Sequence, residues 1–118
     1  MKIVYASRTG NVQAFVDKLG VKDTLQIENG SETVNEPFVL VTYTDGYGEV
    51  PEEVMDFLQS NGDKIVAVAA SGDTGYGEAY CLSADVISEM YNVKILSKFE
   101  FDGSQDDVNV FLDELSKL

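Results

Sequence analysis

The stretch YASRTGNVQAF, residues 5–15, sets six small or polar residues between two apolar segments. Upstream, KIVYA (2–6) is a short apolar run that reads as a strand buried on both faces. Downstream, Val12, Phe15, Val16 and Leu19 recur at helical spacing, which predicts a helix over 11–20. An ordinary turn needs one or two turn-formers. Here Ser7, Arg8, Thr9, Gly10 and Asn11 fill the whole junction. A helix start leaves main-chain N–H groups without partners and carries partial positive charge. With the Ser7 and Thr9 hydroxyls and the Asn11 amide added, the junction becomes a compact set of donors that suits a phosphate. A turn with a polar helix cap remains the plainer alternative. No GxGxxG and no Walker sequence is present, which argues against dinucleotides and triphosphates.

Strand and helix patterns alternate along the rest of the chain. TLQIE (24–28) suits an edge strand, and NGSETVNE (29–36) a polar loop. PFVLVTY (37–43) is a strong strand that Pro37 opens where no ladder donor is needed. PEEVMDFLQS (51–60) starts a helix at Pro51, with Glu52 and Glu53 in the first turn as dipole partners. KIVAVAA (64–70) is a third strong strand. Residues 78–91 read as a helix with Leu82, Val86, Ile87 and Met90 inward, and Cys81 as a small buried hydrophobe within it. VKILSKFEF (93–101) is the last strand. Residues 104–118 form a helix capped by Ser104, with Val108, Phe111, Leu112 and Leu115 on one face and Asp106 and Asp107 at its dipole-positive start.

Five strands and four helices in alternation imply a doubly wound α/β fold. Parallel strands need crossover connections, and helices then cover both faces of the sheet in three layers. The common strand order is 2-1-3-4-5, with ligands bound beyond the carboxyl ends of the strands at the switch point. Function is therefore expected in residues 7–11, 44–50 and 71–80. The length of 118 residues suits one domain, 1–118.

Composition narrows the function. Twenty-one acidic residues against 8 basic ones give a formal charge of −13, which would repel a phosphate backbone, so no nucleic-acid partner is expected. That acidity serves solubility or docking to a basic protein face. No apolar run approaches the ~20 residues of a membrane span. With MKIVYAS too short and strand-like for a leader, and Cys81 the only cysteine, a cytoplasmic setting is expected. Histidine is absent, which removes the commonest general base and the commonest zinc ligand.

The second and third loops carry glycine around tyrosine. In TYTDGYGEVPEE (42–53), Gly46 and Gly48 flank Tyr47; in SGDTGYGEAY (71–80), Gly72, Gly75 and Gly77 surround Tyr76. Glycine lets the main chain approach a flat ligand closely, and tyrosine stacks on its face. Opposite a phosphate-shaped loop, this pattern suits a ligand with one phosphate and one planar ring, the shape of FMN. Each loop alone is also consistent with a flexible connection. A phosphoacceptor receiver domain shares the strand order, the acidity and a lysine like Lys98. It requires paired acidic residues after strand 1 and an aspartate ending strand 3, where this chain has Ala6–Ser7 and Tyr43–Thr44.

SRTGNV (7–12) resembles the phosphate loop of flavodoxins, and its final Val12 matches the Ser-x-Thr-Gly-Asn-Val form of the NrdI family of flavodoxin-like proteins. TYTDGYGEVPE is similar to that family's Thr-x-Thr-x-Gly-Phe-Gly-x-Val-Pro-Glu stretch, AVAASGDTGYG resembles its fourth-strand loop, and KFE (98–100) fits its last strand. The resemblance implies a flavodoxin-like fold and FMN as cofactor. It implies that Ser7, Thr9, Gly10, Asn11 and Val12 hold the phosphate. Arg8, the only arginine, would lie near that phosphate or point into solvent. The ring would be framed by Tyr43, Thr44, Asp45, Gly46, Tyr47 and Gly48 on one side. Ser71, Gly72, Asp73, Tyr76 and Gly77 would frame the other, with Tyr47 and Tyr76 as the aromatic contacts. The Gly46 peptide would turn its carbonyl toward the ring nitrogen protonated on reduction.

The implied function is redox support of class Ib ribonucleotide reductase. Reduced flavin passes an electron to dioxygen, and superoxide drives assembly of the manganese–tyrosyl radical cofactor. The partners would be the dimanganese small subunit and an unknown flavin-reducing donor. No catalytic acid or base and no metal ligand in this chain is expected. A general electron-transfer flavodoxin is the alternative. Relatives carry Asn-Arg-Asn-Trp where this chain has Asp73, Thr74, Gly75 and Tyr76; with Asp45 and Glu49, the added negative charge would lower the flavin potential.

Overall fold

The computed structural model describes residues 1–118. Strands β1 (Lys2–Tyr5), β2 (Thr24–Gln26), β3 (Phe38–Tyr43), β4 (Ile65–Gly72) and β5 (Lys94–Glu100) form one sheet in the order β2-β1-β3-β4-β5. Every neighbouring pair is parallel. Helices α1 (Asn11–Leu19), α2 (Glu52–Asn61), α3 (Leu82–Tyr91) and α4 (Gln105–Ser116) make the crossovers. The expected α/β architecture and strand order are those observed.

Strand side chains alternate between faces, so each buried strand contributes to two cores. Val4, Leu40, Val68 and Ala70 join Phe57 and Leu58 of α2 and Ile87 of α3. Ile3, Tyr5, Val39, Val41 and Ala69 join Phe15 of α1 and Phe111 of α4 on the other face. There Phe15 stacks on Phe99 at 3.8 Å between centroids and meets Phe111 edge-on at 5.6 Å. No helix is long and apolar enough to cross a membrane.

Two local devices hold the frame. The fully buried Asn61 clips the loop before β3: its amide donates to the carbonyls of Glu32 and Phe57 at 3.0 and 2.9 Å, and its oxygen accepts from Val34 N at 3.1 Å. At α4, Ser104 Oγ accepts from Asp107 N at 3.2 Å while Asp107 Oδ2 accepts from Ser104 N at 2.8 Å. This capping box turns the expected dipole partner Asp107 into a direct cap.

The third helix departs from its expected reading. It begins at Leu82, and residues 74–79 form a 3₁₀ turn broken at Gly77 (φ 58°, ψ −120°). Cys81 stands immediately before the helix in a left-handed conformation, φ 51°. The inward residues are Ser83, Ala84 and Ile87; Leu82 and Met90 are exposed and Val86 is only partly covered. The reason is close approach to β4. A Cβ on Gly72 would sit 2.9 Å from Cys81 Sγ, so small side chains, not large ones, meet the sheet at this end. β4 also runs two residues beyond the expected end at Ala70, taking in Ser71 and Gly72.

Gly103 links β5 to α4 at φ 74°, and a Cβ there would stand 2.6 Å from the Phe15 ring. Left-handed strain and overpacking each cost roughly 1–3 kcal/mol. Gly103→Ala is therefore expected to destabilise the fold by about 2 kcal/mol or more in urea unfolding; a midpoint unchanged from the parent would refute this tight contact.

Candidate functional site

The winding reverses between β1 and β3. From β1 the chain leaves into α1 on one face, and from β3 into α2 on the other. The loops after these two strands therefore diverge and leave a cleft beyond the strand ends. It has a volume of about 270 Å³, near the low end for ligand pockets. Arg8, Thr9, Asn11 and Val12 line one end. Tyr43, Thr44, Asp45 and Gly46 line the middle, and Ser71, Gly72, Asp73 and Tyr76 the far side. Five expected site residues stand outside the lining: Ser7, Gly10, Tyr47, Gly48 and Gly77.

Those five have structural explanations. Ser7 Oγ accepts from Gln13 N at 3.2 Å and so caps α1 from a distance. Gly10 adopts φ 95°, a conformation that redirects the chain into the helix. Gly48, at φ 98°, lets Leu82 pack against the loop, since a Cβ would sit 2.7 Å from Leu82 Cβ. Gly77 breaks the 3₁₀ turn. Tyr47 is 79% exposed and meets Tyr76 edge-to-face at 5.4 Å, so the two rings touch each other at the mouth.

Polar groups are distributed unevenly along the cleft. At the β1 end, the main-chain N–H groups of residues 7–12 donate to no protein acceptor, and the Thr9 and Asn11 side chains have no protein partner. At the β3–β4 end the side-chain hydroxyls and carboxylates are already engaged. Thr44 Oγ1 bonds the Ser71 carbonyl at 2.9 Å and Ser83 Oγ at 2.8 Å, and Ser71 Oγ donates to the Phe101 carbonyl at 2.5 Å. Asp45 accepts from Gly46 N, and Asp73 from Gly75 N. One end thus offers a continuous row of donors to an anion, while at the other the hydroxyls are engaged and the Thr44 and Asp73 main-chain N–H groups stay open.

A charged cluster bridges the loops. Arg8 Nη1 and Nη2 reach both Asp45 carboxylate oxygens at 3.0 and 2.9 Å, and the guanidinium lies 4.7 Å from the Tyr43 ring centroid. The Arg8 bond holds the Asp45 carboxyl below its ordinary range. Tyr43 in turn donates to Glu53 at 2.5 Å, and burial together with that carboxylate pushes its hydroxyl up to about 12. Arg8 is therefore partly exposed but tied to Asp45 across the switch point, not free in its own loop. Lys98 pairs with Asp85 at 2.6 Å and does not line the cleft.

Three lining residues escaped the sequence reading: Ala79, Cys81 and Phe101. Phe101 is 49% exposed and left-handed at φ 54°. Its main chain is held from β4, accepting from Ser71 Oγ and donating to the Gly72 carbonyl at 3.1 Å. It follows the sheet's edge strand, where strand order gave no reason to look. Cys81 forms floor, with Sγ near the Ala70 and Phe99 carbonyls at 3.4 and 3.6 Å.

A family model described as NrdI flavodoxin-like matches residues 3–113. The chain belongs to the NrdI flavodoxin-like family. Among its relatives, the protein NrdI of Bacillus licheniformis is 43% identical over 118 residues, which cover all of this chain and 89% of that one. The protein NrdI of Macrococcus caseolyticus is 42% identical over 120 residues, covering 99% of this chain and 92% of that one. Two solved flavodoxins share the fold. A short-chain flavodoxin associated with a non-canonical PDU bacterial microcompartment superposes with a TM-score of 0.72 at 26% identity, over 98% of this chain and 95% of its own. The Streptococcus pneumonia TIGR4 flavodoxin gives 0.70 at 30% identity, over 98% and 97%. Membership of the NrdI family and this fold imply a flavin cofactor. The unpartnered donors at the β1 end and the engaged hydroxyls beside them fit such a group.

Burial raises the Cys81 thiol to about 11, and its side chain is fully covered. At pH 8 the folded protein is expected to leave Cys81 unmodified by a thiol–disulfide reagent, with full reaction only in denaturant. Fast labelling of the folded protein would show that the cleft floor opens.

Proposed function

We propose that this protein holds FMN in the cleft and serves the assembly of the manganese–tyrosyl radical cofactor of class Ib ribonucleotide reductase. The observation that carries the cofactor reading is the unbroken row of open donors at residues 7–12, set beside an end whose hydroxyls are tied into the frame, which suits one phosphate and one ring. NrdI membership supports the association with ribonucleotide reductase. The partners in this reading are the dimanganese small subunit and a flavin-reducing donor, and the setting is the cytoplasm.

Thr9, Gly10, Asn11 and Val12 would hold the phosphate through main-chain N–H groups and two short polar side chains, with Ser7 bracing the helix start behind them. Tyr43 to Gly46 and Ser71 to Asp73 would frame the ring, with Tyr76 and Phe101 as aromatic walls. When bound, FMN supplies one-electron reduction of dioxygen to the superoxide used at the dimanganese centre. The chain's own part is binding, orientation and electrostatics, and it needs no general acid or base for that. Gly46 sits at φ 45° with only the Glu49 carboxylate near its open side, so its peptide has room to turn.

Purified protein is expected to be yellow and to release a flavin that co-migrates with FMN. Its reduced form, mixed with dioxygen and a manganese-loaded class Ib small subunit, should yield a tyrosyl-radical signal. A colourless protein that takes up no added FMN rejects the cofactor. A flavoprotein that generates no radical rejects maturation and favours general electron transfer. Separately, Gly46→Val, which strains a positive φ and crowds the peptide, should shift the flavin midpoint potentials. Unchanged potentials would dismiss a role for this peptide.

A further inference from the structure

Arg8 belongs to the same loop as the unpartnered N–H groups of residues 7–12, yet its guanidinium is turned away to Asp45 in the loop after β3. The turn is doubly determined. Both Asp45 oxygens are used, and the guanidinium plane covers Tyr43, itself anchored to Glu53 on α2. The Arg8 and Asp45 side chains are 55% and 37% exposed. Exposed pairs of this kind add little to stability, so the bridge's consequence lies elsewhere. It removes the only arginine from competition for an anion in its own loop, and it neutralises the carboxylate that lines the middle of the cleft.

We propose that Asp45 is a specificity-determining residue that sequesters Arg8, so that the protein distinguishes phosphorylated from unphosphorylated flavin through neutral donors alone. This inference rests on the flavin reading of the cleft. Held by Asp45, the guanidinium faces the ring end and contributes equally to FMN and to riboflavin. Released, it stands in the loop where a phosphate would sit, and a guanidinium–phosphate pair is among the stronger charge-assisted hydrogen bonds. Asp45 thereby limits FMN affinity and withholds the salt-weakened attraction that a free guanidinium would add to the phosphate grip.

The test is equilibrium titration of flavin-free protein with FMN and with riboflavin, read by quenching of flavin fluorescence at 50 mM and 500 mM salt. The set comprises the parent, Asp45→Asn, Arg8→Gln and the double variant. Both substituted side chains are partly exposed, and thermal melting checks that each variant folds. Asp45→Asn is expected to raise the preference for FMN over riboflavin by about tenfold, the equivalent of one charge-assisted bond, and to make that preference fall with salt. The double variant, which removes both charges of the pair, should keep the parent's preference, and Arg8→Gln, which leaves the Asp45 carboxylate unpaired in the cleft, should lie at or below it. An unchanged preference in Asp45→Asn overturns the proposal. So does a reduced preference in the double variant, because Arg8 would then already be holding phosphate. Failure of the parent protein to bind either flavin overturns the cofactor reading, and the proposal with it.

Discussion

The parallel pairing of β1 with β3 is the constraint on which the rest depends. Ile3 faces Val39 and Val4 faces Leu40 in this register, so the two strands end side by side. The chain moves from β1 outward to β2 and from β3 the other way to β4, so right-handed crossovers put the following helices on opposite faces, α1 with the Phe15 core and α2 with the Phe57 core. Two chains diverging from adjacent strand ends cannot close over the sheet between them. The cleft is a consequence of this winding and needs no dedicated element to build it. A single-residue slip in β1 would exchange Ile3 and Tyr5 with Val4 and Ala6 between the two cores, and displace the donor loop at the same time.

What the cleft binds is decided by which polar groups the fold leaves unused. Main-chain N–H groups that no protein acceptor takes are open to water or to a ligand, and a contiguous row of them can converge on one anion. Here the row lies at the start of α1, where Gly10 at φ 95° turns the N–H groups of residues 7–12 away from protein acceptors. At the opposite end the hydroxyls are satisfied: Thr44, Ser71 and Ser83 bond one another or nearby carbonyls, and no buried side-chain polar atom in the molecule lacks a partner. The hydroxyls at the ring end thus act as struts tying β3, β4, α3 and the Phe101 turn together. Two non-glycine residues at this end, Cys81 and Phe101, adopt left-handed conformations. Such conformations persist where neighbouring bonds impose them, and Phe101 is bonded through both its carbonyl and its N–H.

Much of this was legible in the sequence. Apolar runs of strand length at 2–6, 37–43 and 64–70, rich in β-branched residues, read as buried strands, and their alternation with helical periods points to a parallel sheet. The donor loop was legible because local spacing alone places Gly10 and its polar neighbours at a strand-to-helix junction. The inward face of α3 was not. Periodicity assumes that large residues go inside, whereas Gly72 brings the helix start so close that Ser83 and Ala84 fit and Leu82 does not. The Arg8–Asp45 bridge was illegible for a different reason. Its partners are 37 residues apart, and no local pattern signals a contact made only when two loops meet across a switch point.

Charge distribution extends the same point to the whole surface. Six of the seven lysines pair locally with acidic residues away from the cleft lining, among them Lys2 with Asp23, Lys18 with Asp102 and Lys94 with Glu114. Pairs this exposed contribute little individually. They do, however, leave Arg8 as the one cation lining the cleft of a chain with a formal charge of −13. A field of that sign repels a free phosphate at long range, yet it is screened beyond about 8 Å at physiological salt. Close-range N–H donors can therefore hold an anion that the net charge would turn away. Contact geometry at the helix start, rather than the sum of charges, decides what the cleft retains.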